Sequence, residues 1–250
     1  MAKEPIPPLD EKVFEAVKAL KDEPVIAQAL QKAFDETDQA MQEQIELCEI
    51  PSPTFEEAER AKEIARRMKL YGLTDVTIDE IGNVVGFRPG KGHGPVLAMG
   101  AHMDTVFPAG TDVTVRQEGN RYFAPGIGDN CSGLRALLHV VRLFNELKIE
   151  TEGDLYFIGT VGEEGNGDTR GSKFFNAHHQ VDGFIAIDNT DVGRILKGAI
   201  GSHRWRFSID GKGGHSYGSF GDTPSAIHAM CLAGARVAKL KVPAEPKTTF

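Results

Sequence analysis

The sequence predicts an α/β fold, a mixed and largely parallel sheet sandwiched by helices. Three observations carry that expectation. Apolar strand-like runs at residues 95–101, 154–161 and 183–187 alternate with helical stretches. Strands that alternate with helices pair in parallel and are covered on both faces. A histidine or a carboxylate stands just beyond three of these runs, at His102, Glu163-Glu164 and Asp188. Asp129 closes a glycine turn before a helix. In open α/β sheets, ligands collect beyond the carboxyl ends of the strands.

Residues 1–50 read as helical. Ile26, Leu30, Phe34, Met41, Ile45 and Cys48 form one stripe with a polar interruption at Thr37-Asp38. Pro51-Ser52-Pro53 ends it. Thr54 then opens a second helix as N-cap, with Glu57 three residues on completing a capping box. That helix runs to about Leu70 and stops near Gly72. Strands follow at 76–79 and 83–87, a turn at 89–94, and the apolar strand 95–101. Residues 113–117 and 121–124 read as a hairpin. A long amphipathic helix fills about 131–147, followed by strand 154–161, a shorter helix near 172–179 and strand 183–188. Near Gly198–Gly201 the pattern changes. An alternating strand at 202–210, a glycine-rich loop at 211–216 and a helix at 223–240, with Pro224 in its first turn, read as the opening of an α+β domain. The division is therefore 1–200 and 201–250. The last residues leave a helical pattern and start an element that does not finish, which predicts a piece of a longer protein.

Bulk properties exclude several classes. A net charge of −8 with no basic stripe argues against nucleic acid. No apolar run approaches the roughly 20 residues of a membrane helix, and the first residues lack a signal-peptide core. Cys48, Cys131 and Cys231 are widely spaced and odd in number, which favours a reducing, cytoplasmic compartment over a disulfide framework. Cys131 lies near the candidate site as a possible thiol ligand or nucleophile, but a small buried residue at a helix start is the simpler reading.

His102-Met103-Asp104 places two polar residues on one side of an extended segment. A metal-bound histidine needs a carboxylate or similar acceptor to orient it, and Asp104 is suited to that. Asp129, in Gly126-Ile127-Gly128-Asp129-Asn130, reads either as a helix cap or as a carboxylate able to bridge two cations. Glu163 and Glu164 are adjacent carboxylates that repel unless a cation or proton lies between them. One can ligate a metal while the other accepts a proton. Asp188 reads as a turn cap or a ligand. His215, in Gly211-Lys212-Gly213-Gly214-His215-Ser216, reads as a loop histidine or an oxyanion donor. The same loop lacks the GxxxxGK[ST] spacing of a phosphate-binding loop, which counts against a nucleotide-binding protein.

In combination, Gly100-Ala101-His102-Met103-Asp104, Gly128-Asp129-Asn130, Gly162-Glu163-Glu164-Gly165 and the His215 loop resemble the cocatalytic zinc exopeptidase and deacylase family. That family includes carboxypeptidase G, peptidase T, aminoacylase, acetylornithine deacetylase and succinyl-diaminopimelate desuccinylase. The resemblance implies two Zn2+ ions, with Co2+ or Mn2+ as substitutes. It implies His102 and Asp188 on one zinc, Glu164 on the other and Asp129 bridging both metals, with an unusual cis peptide between Asp129 and Asn130. It further implies Glu163 as general base, Asp104 in support, and His215 holding the substrate carbonyl oxygen across a homodimer formed through a lid domain that starts near Gly201. The substrate would be a small peptide or an N-acyl amino acid, cleaved at an amide bond. The family's last zinc ligand, a histidine beyond the lid, has no counterpart in these 250 residues. A second reading therefore stands beside the enzyme: a catalytically inactive dimerising or peptide-binding homologue.

Overall fold

The computed structural model describes residues 10–188, 193–196, 198, 201, 205–221, 223–244 and 248–249. The helical reading of residues 1–9 and the start of the strand at 202–204 fall outside them. Contacts divide the chain into two compact units, Leu9–Ala199 and one holding Ile200–Phe250.

The first helical stretch is three helices rather than one: α1 (Glu11–Asp22), α2 (Pro24–Asp35) and α3 (Thr37–Cys48). Pro24 breaks the first junction, since a ring without an N–H starts a helix but cannot continue one. At the second, the Thr37 hydroxyl donates to the Phe34 carbonyl at 2.6 Å, where the stripe had its polar interruption. α4 (Ala58–Leu70) starts later than the expected capping box. Glu57 occupies its N-cap position with no side-chain cap bond, and Thr54 lies outside the helix. Both side chains are drawn to partners elsewhere.

The main sheet has the order β1-β2-β6-β3-β7. Its strands are β1 (Asp75–Ile78), β2 (Val84–Arg88), β3 (Leu97–His102), β6 (Leu155–Thr160) and β7 (Gly183–Ala186). β3 pairs in parallel with β6 and β7, while β2 runs antiparallel to β1 and β6. Strands β1, β6, β3 and β7 thus share one direction and only β2 opposes them. The hairpin is shorter than expected, β4 (Arg116–Glu118) and β5 (Arg121–Phe123).

Alternation along β6 sorts its side chains onto two faces. Leu155 and Phe157 join Ile64 and Met68 of α4, and Leu134, Leu137 and Leu138 of α5 (Cys131–Glu146), in the larger core. Tyr156 and Ile158 face Phe175 of α6 (Arg170–His178) on the other side. The sheet is therefore covered by helices on both faces, as expected.

In the second unit, α7 spans Ala226–Val237, with the Ser225 hydroxyl accepting from the His228 N–H as N-cap. Pro224 precedes that cap rather than sitting in the first turn. Residues 205–210 form no strand. An alternating pattern becomes a strand only where a neighbour takes its backbone hydrogen bonds, and no described residue pairs with this segment.

Candidate metal centre

Because β3, β6 and β7 are parallel, their carboxyl ends lie along one edge of the sheet. His102 is the last residue of β3 and pairs in register with Thr160, so Glu163 stands three residues beyond its neighbour on β6. Asp188 follows two residues after β7. The turn at Asp129 precedes α5.

His102 is almost wholly buried. Its Nδ1 lies 3.0 Å from the backbone carbonyl of Asp104 and 3.5 Å from that residue's carboxylate. A carbonyl oxygen only accepts, so Nδ1 carries the proton and donates. Nε2 then faces Asp129 Oδ1 at 3.0 Å and Asp188 Oδ1 at 4.0 Å. A lone pair opposite two carboxylates is repulsive unless something positive lies between. In the absence of a cation, that is a second proton. Burial opposes the imidazolium, but Asp104, Asp188 and Asp129 outweigh it and raise the His102 pKa to about 9.

Asp129 is free for this position because its neighbour does the capping. The Asn130 side-chain Oδ1 accepts from the Gly133 N–H at 3.1 Å, and its Nδ2 donates to Ile187 O at 2.9 Å. That ties the start of α5 to the end of β7. The Asp129–Asn130 peptide is cis.

Asp104 is fully buried and organises the floor of the site. Its carboxylate accepts from the N–H of Glu163 at 2.9 Å, the N–H of Glu164 at 3.0 Å and the Thr54 hydroxyl at 2.9 Å. Burial pushes its pKa up, yet the bonds from His102, Glu163 and Glu164 prevail and hold it at about 2. Thr54 and Glu57, read from the sequence as a capping box, belong to this floor. Thr54 braces Asp104, and Glu57 accepts from the Gly162 N–H at 3.0 Å. Arg170, which sequence reasoning did not single out, binds Glu57. No local signal distinguishes these partnerships from ordinary helix chemistry.

Glu163 and Glu164 both have raised pKa values. Burial is the main cause for each; for Glu163 the His102 charge opposes it and the Asp188 charge adds to it, and for Glu164 the Asp129 charge adds to it. Ligand atoms of His102, Asp129 and Asp188 lie within 4.8 Å of one another, and so do those of His102, Glu163 and Glu164. A rim of mutually repelling carboxylates around one imidazole nitrogen fits a divalent cation: nitrogen and carboxylate oxygen are the donor set of zinc and its neighbours. A cavity of about 150 Å3 opens beside Glu163, lined also by His102, Asn130, Thr160, Thr169 and Asp188. Cys131 is fully buried against Cys48, in keeping with packing, and is in neither ligand group.

His215 belongs to the second unit. It is exposed, and its Nδ1 accepts from the Tyr217 and Gly218 N–H groups, both at 3.2 Å. In the neutral ring the proton is therefore on Nε2.

The sequence model of the family described as Peptidase family M20/M25/M40 matches residues 98–242, more than half of the chain. The chain belongs to that family. Among curated relatives, a provisionally named LysW-lysine/LysW-ornithine hydrolase of Pyrococcus abyssi is 38% identical over 120 residues, 48% of this chain and 32% of that protein. The succinyl-diaminopimelate desuccinylase of Legionella pneumophila is 30% identical over 204 residues, 74% of this chain and 53% of its own length. The aminopeptidase PepT of Bacillus cereus matches in structure with a TM-score of 0.55 and 22% identity, over 82% of this chain and 57% of that one. At that identity the likeness is one of fold. The chain spans about a third to somewhat over half of the length of these M20 relatives.

Proposed function

We propose that the whole protein is a zinc-dependent hydrolase that cleaves an amide bond of a small peptide or N-acyl amino acid. The observation that carries this reading is the convergence of His102, Asp129 and Asp188, and of His102, Glu163 and Glu164, at the carboxyl ends of parallel strands. In the proposal, His102 and Asp188 would hold one zinc and Glu164 a second, with Asp129 as the ligand shared by both. Bound there, the metal supplies Lewis acidity, lowering the pKa of water from about 15.7 to about 7 and polarising a carbonyl.

Glu163 acts as general base. Its carboxylate lines the cavity beside His102, and burial among like charges raises its pKa toward the range useful for proton transfer. It takes a proton from the attacking water and passes it to the leaving amine nitrogen as the C–N bond breaks. Asp104 fixes the His102 ring and the two amides beneath the glutamates. His215 donates from Nε2 to the carbonyl oxygen of the substrate, in a homodimer formed through the second unit. No feature of the described residues favours the non-catalytic reading. A cytoplasmic location completes the proposal, on the cysteine pattern given above. No helix among the described residues is long and apolar enough to cross a membrane.

The test is metal analysis of the full-length protein followed by a panel of dipeptides, tripeptides and N-acyl amino acids with added zinc. About two zinc ions per subunit and turnover of one substrate class are expected. A protein that binds no zinc and cleaves none of the panel would sink the reading.

A further inference from the structure

The loop that leaves β6 carries three consecutive amides, at Gly162, Glu163 and Glu164, and each donates to a buried carboxylate. The last two use Asp104. Gly162 uses Oε1 of Glu57, a residue only 4% exposed in the segment before α4. Arg170, the first residue of α6, grips that carboxylate with Nη2 at 3.0 Å from both oxygens. It also binds the loop directly, its backbone N–H donating to Gly162 O at 3.1 Å. Nη1 donates to Ile81 O at 2.9 Å, and the guanidinium lies 5.2 Å from the centre of the Phe55 ring. Gly162 has φ 60°, and a Cβ there would stand 2.5 Å from Arg170 Nε. The position thus requires glycine twice over, for its left-handed backbone and for the arginine laid across it.

We infer that the Glu57–Arg170 pair is a positioning element that sets the place of the 162–164 loop and, through it, the reach of Glu163. The inference rests on the reading of Glu163 as base. Neither Glu57 nor Arg170 is in either ligand group. With both carboxylate oxygens engaged by the arginine, Glu57 cannot rotate away from the Gly162 amide, and the charge-assisted bonds hold it there. Asp104 secures the loop from the β3 side and Glu57 from the α4 side. A simple brace for the fold would lower the melting temperature and leave kinetics alone. A positioning element moves the base.

The test compares the wild type with Arg170→Lys and Arg170→Met. Lysine keeps the charge and loses the fork, so an intermediate effect is expected. In the metal-free chain, amide hydrogen exchange at residues 162–164 should quicken about tenfold or more in Arg170→Met, and less in Arg170→Lys. In the full-length protein at saturating zinc, kcat should fall about 10²-fold in Arg170→Met with KM near wild type. Arg170→Lys should recover part of that loss. Unchanged exchange at residues 162–164 overturns the inference, and so does altered exchange with a wild-type kcat. If Arg170→Met does not fold, Arg170→Lys decides by the same two readouts. A wild-type protein that cleaves no substrate overturns the proposed function instead, and exchange then decides by itself whether the pair holds the loop.

Discussion

Two layers of carboxylates build the candidate site from the same residue types in opposite settings. In the lower layer lie Asp104, beside His102 Nδ1, and Glu57, beneath Gly162, 0% and 4% exposed, each accepting from backbone N–H of the 162–164 loop. On the Nε2 side lie Asp129 and Asp188, with side chains 66% and 44% exposed. The lower layer is complete as folded, since protein donors compensate its buried charge. The upper layer gathers negative charge around one nitrogen and gains most from a cation. Placement and binding are thereby separated: one layer holds geometry through folding energy, and the other spends its electrostatics on the metal. Glu163 lies between them, its backbone fixed below and its side chain turned to the cavity.

That division can be broken most sharply at Glu163. Glu163→Gln keeps shape and hydrogen bonding but removes the base, so kcat of the metal-loaded full-length protein should drop about 10²–10⁴-fold. Metal content measured on the same sample should stay at the wild-type value. The next largest effect is expected at Asp104→Ala, which leaves the Glu163 and Glu164 amides and the Thr54 hydroxyl without their acceptor and removes the charge beside His102. Unfolding free energy from urea titration should fall by about 3–5 kcal/mol. Metal affinity by calorimetry should weaken about 10–100-fold. Thr54→Val removes one hydrogen bond to the same carboxylate, with an expected loss of about 1.5–3 kcal/mol in the urea experiment.

The upper layer should behave in the reverse way. Asp188→Asn should weaken zinc binding while the metal-free protein loses less unfolding free energy than it does on Asp104→Ala. A large loss of stability there would erase the distinction between the layers. The smallest effect is expected at a carboxylate in neither layer. Glu63 on α4 is held at about 2 chiefly by Arg66, with Arg67 helping and burial opposing. Its folded pKa is below its unfolded value, so its contribution is present above about pH 4.3. The contribution is lost as pH falls toward 2. The urea midpoints of wild type and Glu63→Gln should therefore differ at pH 5 and converge near pH 2.

The strands at the centre of the sheet and helix α5 were legible because their signals are local. Residues 95–101, 154–161 and 183–188 each hold an apolar run; the observed β6 and β7 fall inside theirs, and β3 overruns its own by one residue, at His102. The candidate site was legible for the same reason, since parallel strands present their carboxyl ends on one edge whatever lies between them. Elements with ambiguous local chemistry were read less well. Thr54 and Glu57 have the spacing of a capping box, but their partners lie 50 and 105 residues away. The alternating pattern at 202–210 promised a strand, and residues 205–210 have no described neighbour to pair with.

Sequence alone determined where β3, β6 and β7 run, where α5 lies, and which histidine and carboxylates follow each strand. Those properties depend on side-chain period and on neighbours a few residues apart. Tertiary structure decided how the site is supported: that Asp104 takes the amides of Glu163 and Glu164, that Asn130 rather than Asp129 caps α5, and that Glu57 joins Arg170 beneath Gly162. A buried carboxylate takes whichever donors the fold brings within reach. Those donors come from distant parts of the chain, and only packing decides which of them arrive.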